Sequence, residues 1–213
     1  MNILSIDCSM NLTCTGILKD NGGVLSVNKD LGRRQSRELN IMAENLLTQN
    51  NLAWQDLDYI ALTNGPGYFT GLRAAAAYVK GLAYALNIKI IPVSSLELLK
   101  FIYTRENNQD SNKNLLAMIY AGHGFVYASG ENLQSGEYPH ALIKNYLAEN
   151  PDVIIISDDA SRIDFDPDTK IINVNPNAGH LAEFASLEIK RAVDPMKLEI
   201  LYFRLPQGMQ TAV

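Results

Sequence analysis

An α/β fold in two lobes is predicted by three observations. The hydrophobic period switches repeatedly between two and 3.6 residues, the first 104 residues read β-β-β-α-β-α-β-α, and a polar stretch, RENNQDSNKN (105–114), separates them from a second block of short apolar runs. The 213 residues are 47% hydrophobic and 19% charged, a globular balance with enough apolar material for a buried core. The expected division is therefore 1–104 for a first lobe and 105–213 for a second.

The elements follow in order. NILSID (2–7), TCTGILK (13–19) and GVLSVN (23–28) are aliphatic or β-branched runs, with Asn21, Gly22 and Gly23 supplying a turn, so the opening reads as three antiparallel strands. From Arg34 to Asn50 the period becomes helical, with Leu39, Met42, Ala43, Leu46 and Leu47 on one stripe. Trp54 stands in the linker NLAWQDL, where packing over the core is its expected role. LDYIALT (57–63) reads as a buried strand, and a glycine-rich loop leads from it into a helix over 70–86. IKIIPV (88–93) is the next strand; Ser94 or Ser95 then caps a helix running to about Thr104, with Glu97 in its first turn. In the second block LLAMIYA and FVYASG suggest a hairpin around Gly122 and Gly124, DVIIIS (152–157) and KIINVN (170–175) two strands, and 178–192 a helix.

Composition narrows the functional classes. A net charge of -5 opposes unaided binding to nucleic-acid phosphates. The two cysteines, Cys8 and Cys14, and the three scattered histidines, His123, His140 and His180, do not have metal-site spacing, and each histidine is expected on a surface or loop. No run approaches the roughly 18 apolar residues of a membrane span, and the chain opens directly on a strand. A cytoplasmic protein with free thiols and no membrane partner is expected.

Gly65, Gly67 and Gly71 lie between a strand and a helix, where free N–H groups and the helix dipole could hold an anion. Yet no lysine follows Gly71, and Thr70 occupies the last glycine position of a dinucleotide fingerprint, so tight turning and close packing compete with phosphate binding. The helix that follows has two apolar stripes. Leu72, Ala75, Ala76, Val79, Ala83 and Leu86 suit the chain's own sheet; Ala74, Ala77, Tyr78, Gly81 and Tyr84 require a second cover, supplied by the first helix or by another molecule. Gly81 costs about 1 kcal/mol of helix propensity relative to alanine, which some contact should offset.

NILSIDCS, NGPGYFTGLRAAAAYVKGLAYAL and IIPVSSLELL together resemble the bacterial TsaB (YeaZ) family, with Gly65 to Arg73 as the most specific stretch; LEILYFRLP (198–206) is similar to that family's terminal segment, with Ile200 where proline is usual. The resemblance implies an actin-like ATPase (ribonuclease H-like) fold with mixed sheets. It also implies a non-catalytic subunit that binds no cofactor and supports a TsaD-type catalytic partner in threonylcarbamoyladenosine modification of tRNA. A TsaE-type ATPase would complete the assembly, tRNA would be contacted only indirectly, and the chain alone would form a homodimer. The partner interface is expected on the first two helices, at Leu39, Met42, Leu46, Ala74, Ala77, Tyr78, Gly81 and Tyr84.

This chain departs from the family pattern at Gln35 before Ser36, and at Tyr120 to Tyr127, which replace a D-A-R-x-x-E-V-Y motif. Asp7 sits where actin-like enzymes place a metal-associated aspartate, but the loop after it lacks glycine, as does SDDASRI (157–163), where Asp158 and Asp159 would repel phosphate. Asp7 is therefore expected to accept turn hydrogen bonds. No H-E-x-x-H or G-x-S-x-G supports hydrolysis. Lys29, Arg33, Arg34 and Arg37 run against the dipole of the first helix, consistent with a solvated face or an outside partner. The alternative function is an actin-fold phosphotransferase or ATPase using Asp7 and the 65–71 loop.

Overall fold

The computed structural model describes residues 1–31, 35–107, 114–166 and 168–203. Arg33 and Arg34 of the basic run, most of the expected lobe boundary and the end of LEILYFRLP lie outside them, as do the side chains of Gln35 and Ser36.

Strands β1 (Ile3–Asp7), β2 (Thr13–Leu18), β3 (Val24–Lys29), β4 (Tyr59–Gly65) and β5 (Lys89–Ser94) form a mixed sheet in the order β3-β2-β1-β4-β5. β1, β2 and β3 are antiparallel, as expected, with Ile3 opposite Leu18 and Asp7 opposite Cys14; β4 and β5 run parallel to β1. Alternation divides the apolar residues between the faces. Leu4, Ile6, Ile60 and Leu62 pack with α1 (Gln35–Gln49) and α2 (Phe69–Leu86). Ile3, Ala61 and Ile91 pack with α3 (Ser95–Glu106) and α5 (Ala178–Leu187). Trp54, in a single 3-10 turn, lies against the α1–α2 side of this core.

The second sheet repeats the pattern. β6 (Leu115–Gly122), β7 (Phe125–Ser129), β8 (Gly136–Pro139), β9 (Ile154–Ser157) and β10 (Ile171–Asn173) take the order β8-β7-β6-β9-β10, so each lobe has an antiparallel meander beside two parallel strands. α4 (His140–Glu149) covers one face with Ile143 and Tyr146. The other face contributes Ala117, Ile119 and Ile156 to the core that α3 and α5 share with the first sheet.

Three features differ from expectation. β8 and α4 are absent from the sequence reading: GEYP has no period and contains glycine and proline, while α4 follows Pro139 and buries only two residues. α5 stops at Leu187 rather than 192, because Arg191 turns back to Glu188 and Glu97 at 3.0 and 2.9 Å and the chain crosses to pair Val193 with Ile90. His140 and His180 lie on helices, half-buried, and not on loops.

The expected boundary at 104/105 falls in the last turn of α3, but the chain does not stay beyond it. α5 lies on the first sheet, where the Ser5 hydroxyl donates to the Ala178 carbonyl, and the run after it places Leu198 in the α1–α2 core. Cys8 and Cys14 are free and buried, and no described helix is long and apolar enough to cross a membrane. Burial and the neighbouring Asp7 push the Cys8 thiol up to about 12.

Candidate functional site

Two regions carry the residues singled out by sequence: the loops at the ends of β1, β4 and β9, and the outer side of α2.

At the first, Asp7 ends β1 and is fully buried. One carboxylate oxygen, Oδ1, accepts from Ser9 N at 2.8 Å, from Ser9 Oγ at 2.7 Å and from Thr63 Oγ1; Oδ2 has no partner among the described residues. Burial raises its pKa, and the bonds from Thr63 and Ser9 oppose that shift. Asp158, after β9, is nearly buried too; burial, with Asp159 and Asp7 adding like charge, pushes it up to about 6 against hydrogen bonds that include the Asn11 N–H. Two carboxylates, one from each lobe, thus interact here, and burial raises the pKa of both.

The glycine loop fits between these elements. Gly65 has φ +116°, open to glycine and strained for other residues, and the Gly65–Pro66 bond is cis. A Cβ at Gly67 would stand 2.0 Å from the Ser9 carbonyl oxygen, which accepts from Tyr68 N–H at 2.8 Å. On its other side the loop abuts the C-terminal run, with Leu201 N–H donating to Asn64 O at 2.7 Å. Its glycines therefore serve close packing of chain on chain, the second of the two roles the sequence left open.

A nucleotide's magnesium, which the fold class implies, needs carboxylates and phosphate oxygens in a fixed cage. The residues present do not fit it. The partnered oxygen of Asp7 is committed to Ser9 and Thr63, its second oxygen is fully enclosed, the phosphate-side loop is filled by Ser9, and no cluster of three metal-ligating side chains occurs among the described residues.

α2 forms because its alanine-rich run favours helix, and Asn87 in the left-handed conformation ends it, its N–H bonding Ala83 and Tyr84 carbonyls. Leu72, Ala75, Ala76, Val79 and Ala83 are buried against the sheet. Of the second stripe, Ala74 and Tyr78 are half-buried beside α1, where the Tyr78 hydroxyl donates to Asn40 Oδ1 at 3.3 Å. Burial, with Glu44 close by, pushes Tyr78 up to about 12. Ala77, Gly81 and Tyr84 are exposed, Tyr84 at 73%, and a Cβ at Gly81 would meet nothing within 4 Å.

The α1 part of the expected interface needs correction. Leu39, Met42 and Leu46 are at most 2% exposed, and Leu39 and Leu46 pack in the core that α1 shares with the first sheet. The exposed apolar residue of α1 is Ile41, at 46%. Helical phase gives the signal: Ile41 is the apolar residue lying off the stripe that the first lobe must bury.

The chain belongs to the family described as TsaD: tRNA N6-adenosine threonylcarbamoyltransferase, whose model matches residues 11–185. Its likeness from end to end is to TsaB (YeaZ) proteins. The tRNA threonylcarbamoyladenosine biosynthesis protein TsaB of Buchnera aphidicola subsp. Acyrthosiphon pisum is 27% identical over 214 residues, covering 92% of this chain and 94% of the relative. A Pseudomonas aeruginosa crystal structure, described as an uncharacterized protein with similarity to peptidase YEAZ, matches with a TM-score of 0.79 and 25% identity over 95% of this chain and 99% of that one. The tRNA N6-adenosine threonylcarbamoyltransferase of Clostridioides difficile is 31% identical over 110 residues, which are 44% of this chain and 32% of the enzyme. The recognition made from Gly65 to Arg73 and the flanking strands is thereby borne out, as is the actin-like ATPase (ribonuclease H-like) fold.

Proposed function

We propose that this protein is a scaffold subunit in the formation of threonylcarbamoyladenosine on tRNA, docking a TsaD-type catalytic subunit through the outer face of α2. The observation that carries the reading is the exposed run Ala77, Gly81 and Tyr84 on a helix whose opposite face is already buried. Small residues there let a second helix approach closely, and apolar surface left open in this way marks protein contacts. The end-to-end relative named for threonylcarbamoyladenosine biosynthesis supports the pathway. The same face would hold a second copy when the partner is absent. In the larger assembly a TsaE-type ATPase would join, tRNA would be held mainly by the other subunits, and the setting would be the cytoplasm.

The chain's own loops support a non-catalytic role, since the Asp7 region is filled by internal contacts. The test is association of purified protein with a TsaD-type subunit, followed by sedimentation. Gly81→Leu has room in the monomer and should leave the fold intact while weakening association at least tenfold; Tyr78→Arg should weaken it further by burying an unpaired charge. Wild-type association by both variants would remove the docking face, and ATP turnover lost in Asp7→Ala would favour the phosphotransferase alternative.

A further inference from the structure

The first turn of α2 is held from outside its own lobe at two adjacent residues. Arg162, which follows β9 in the second lobe, lays its guanidinium over two rings: 4.3 Å from the Tyr120 centroid on β6 of its own lobe and 5.3 Å from that of Tyr68, the N-cap residue of α2. Its Nη1 also donates to the Tyr68 hydroxyl. Beside it, Phe69 stacks on Tyr202 at 5.4 Å, and the next residue, Phe203, reaches Tyr127 on β7 at 6.0 Å. The short run 201–203 therefore touches β4 through Asn64, α2 through Phe69 and the second sheet through Tyr127.

We propose that these contacts are an inter-lobe clasp: Arg162 and the run 201–203 are its two arms, Tyr68 and Phe69 its catch, and together they fix how the lobes close and where α2 begins. α2 has no side-chain cap at its N-terminus, so the turn relies on these neighbours for its position. Guanidinium stacked on aromatic faces is weak at an exposed site, as Arg162 is, and a contact of that strength holds a hinge without sealing it. The clasp goes beyond the scaffold reading and does not depend on any partner.

Hydrogen exchange followed by mass spectrometry on the full chain tests it. Arg162→Ala should speed exchange of the amides at 72–76 by about tenfold, with β1 and β4 unchanged, and small-angle scattering should show a larger radius of gyration. Arg162→Lys, which keeps the charge and loses the planar fork, should fall between the two. Tyr120→Leu, which keeps apolar bulk and removes the ring, should reproduce the alanine result. Exchange within twofold of wild type at 72–76 in both Arg162→Ala and Tyr120→Leu overturns the clasp. Equal acceleration throughout β1 and β4 overturns it too, because a clasp acts at the lobe boundary and not on the whole fold.

Discussion

The loop that enters α2 and the outer face of the same helix use glycine for opposite ends. At Gly67 the Ser9 carbonyl oxygen lies 2.0 Å from where a Cβ would be, while at Gly81 an added Cβ meets nothing within 4 Å. One glycine makes room for the chain's own backbone. The other leaves room for something outside it. The contrast separates the part of the region that closes the fold from the part proposed as a docking face, although both lie within the single stretch NGPGYFTGLRAAAAYVKGLAYAL.

The contrast breaks first at Gly67. Gly67→Ala drives a methyl into backbone that has no rotamer to change, so a loss of about 3 kcal/mol is expected in denaturant unfolding. A stability unchanged within experimental error would mean that the loop yields and is not a packing element. Next in size is Asp158→Asn, in the loop after β9. The folded pKa is raised to about 6, above the unfolded value of 3.8, so the folded state binds more protons between those values. Stability from this group is complete below about pH 3.8 and is lost as pH rises through 6. Removing the charge should therefore raise stability at pH 7 by about 1–3 kcal/mol and flatten its pH dependence between 4 and 6, read from chemical unfolding across pH. The smallest effect belongs to the open glycine: Gly81→Ala should stabilise the monomer by about 1 kcal/mol, since the helix gains propensity and nothing resists the methyl. A destabilised Gly81→Ala monomer would show that the face is covered after all. Finally, Cys8 and Cys14, both buried and with thiols that burial raises, should resist alkylation in native protein and react at once after unfolding, as intact-mass measurement would show.

The first lobe was legible because its sheet is covered on both sides and its strands and helices show plain periods. β1 to β5 and α1 to α3 all lie within a few residues of where period and turn residues put them. The second lobe was less so. β8 is four half-buried residues with glycine and proline, and α4 buries Ile143 and Tyr146 but exposes Leu142, so neither carries a clear stripe. In the candidate site, the second stripe of α2 was visible as an excess of apolar residues with no obvious cover. Which part of it α1 shields depended on how Tyr78 meets Asn40 and could not be counted from spacing. The same reasoning misassigned Leu39, Met42 and Leu46, because an apolar stripe states that a face is covered and not by what. Arg162 gave no local signal at all: its significance comes from two rings distant in sequence, Tyr68 and Tyr120.

The return of the chain after α5 also governs the order in which the protein can be made. β1 is made well before α5, yet its Ser5 is satisfied by the Ala178 carbonyl, the edge of β5 at Ile90 by Val193, and Asn64 at the end of β4 by Glu199 and Leu201. Until those later residues are synthesised, the first sheet has only α3 over its apolar face at Ile3, Ala61 and Ile91, and an unpaired edge. Such surfaces are what chaperones hold and what aggregates nucleate on. Nascent chains stopped before α5 should accordingly remain protease-sensitive through β1 to β5, and protection of β1 should appear only once residues 178–201 have emerged.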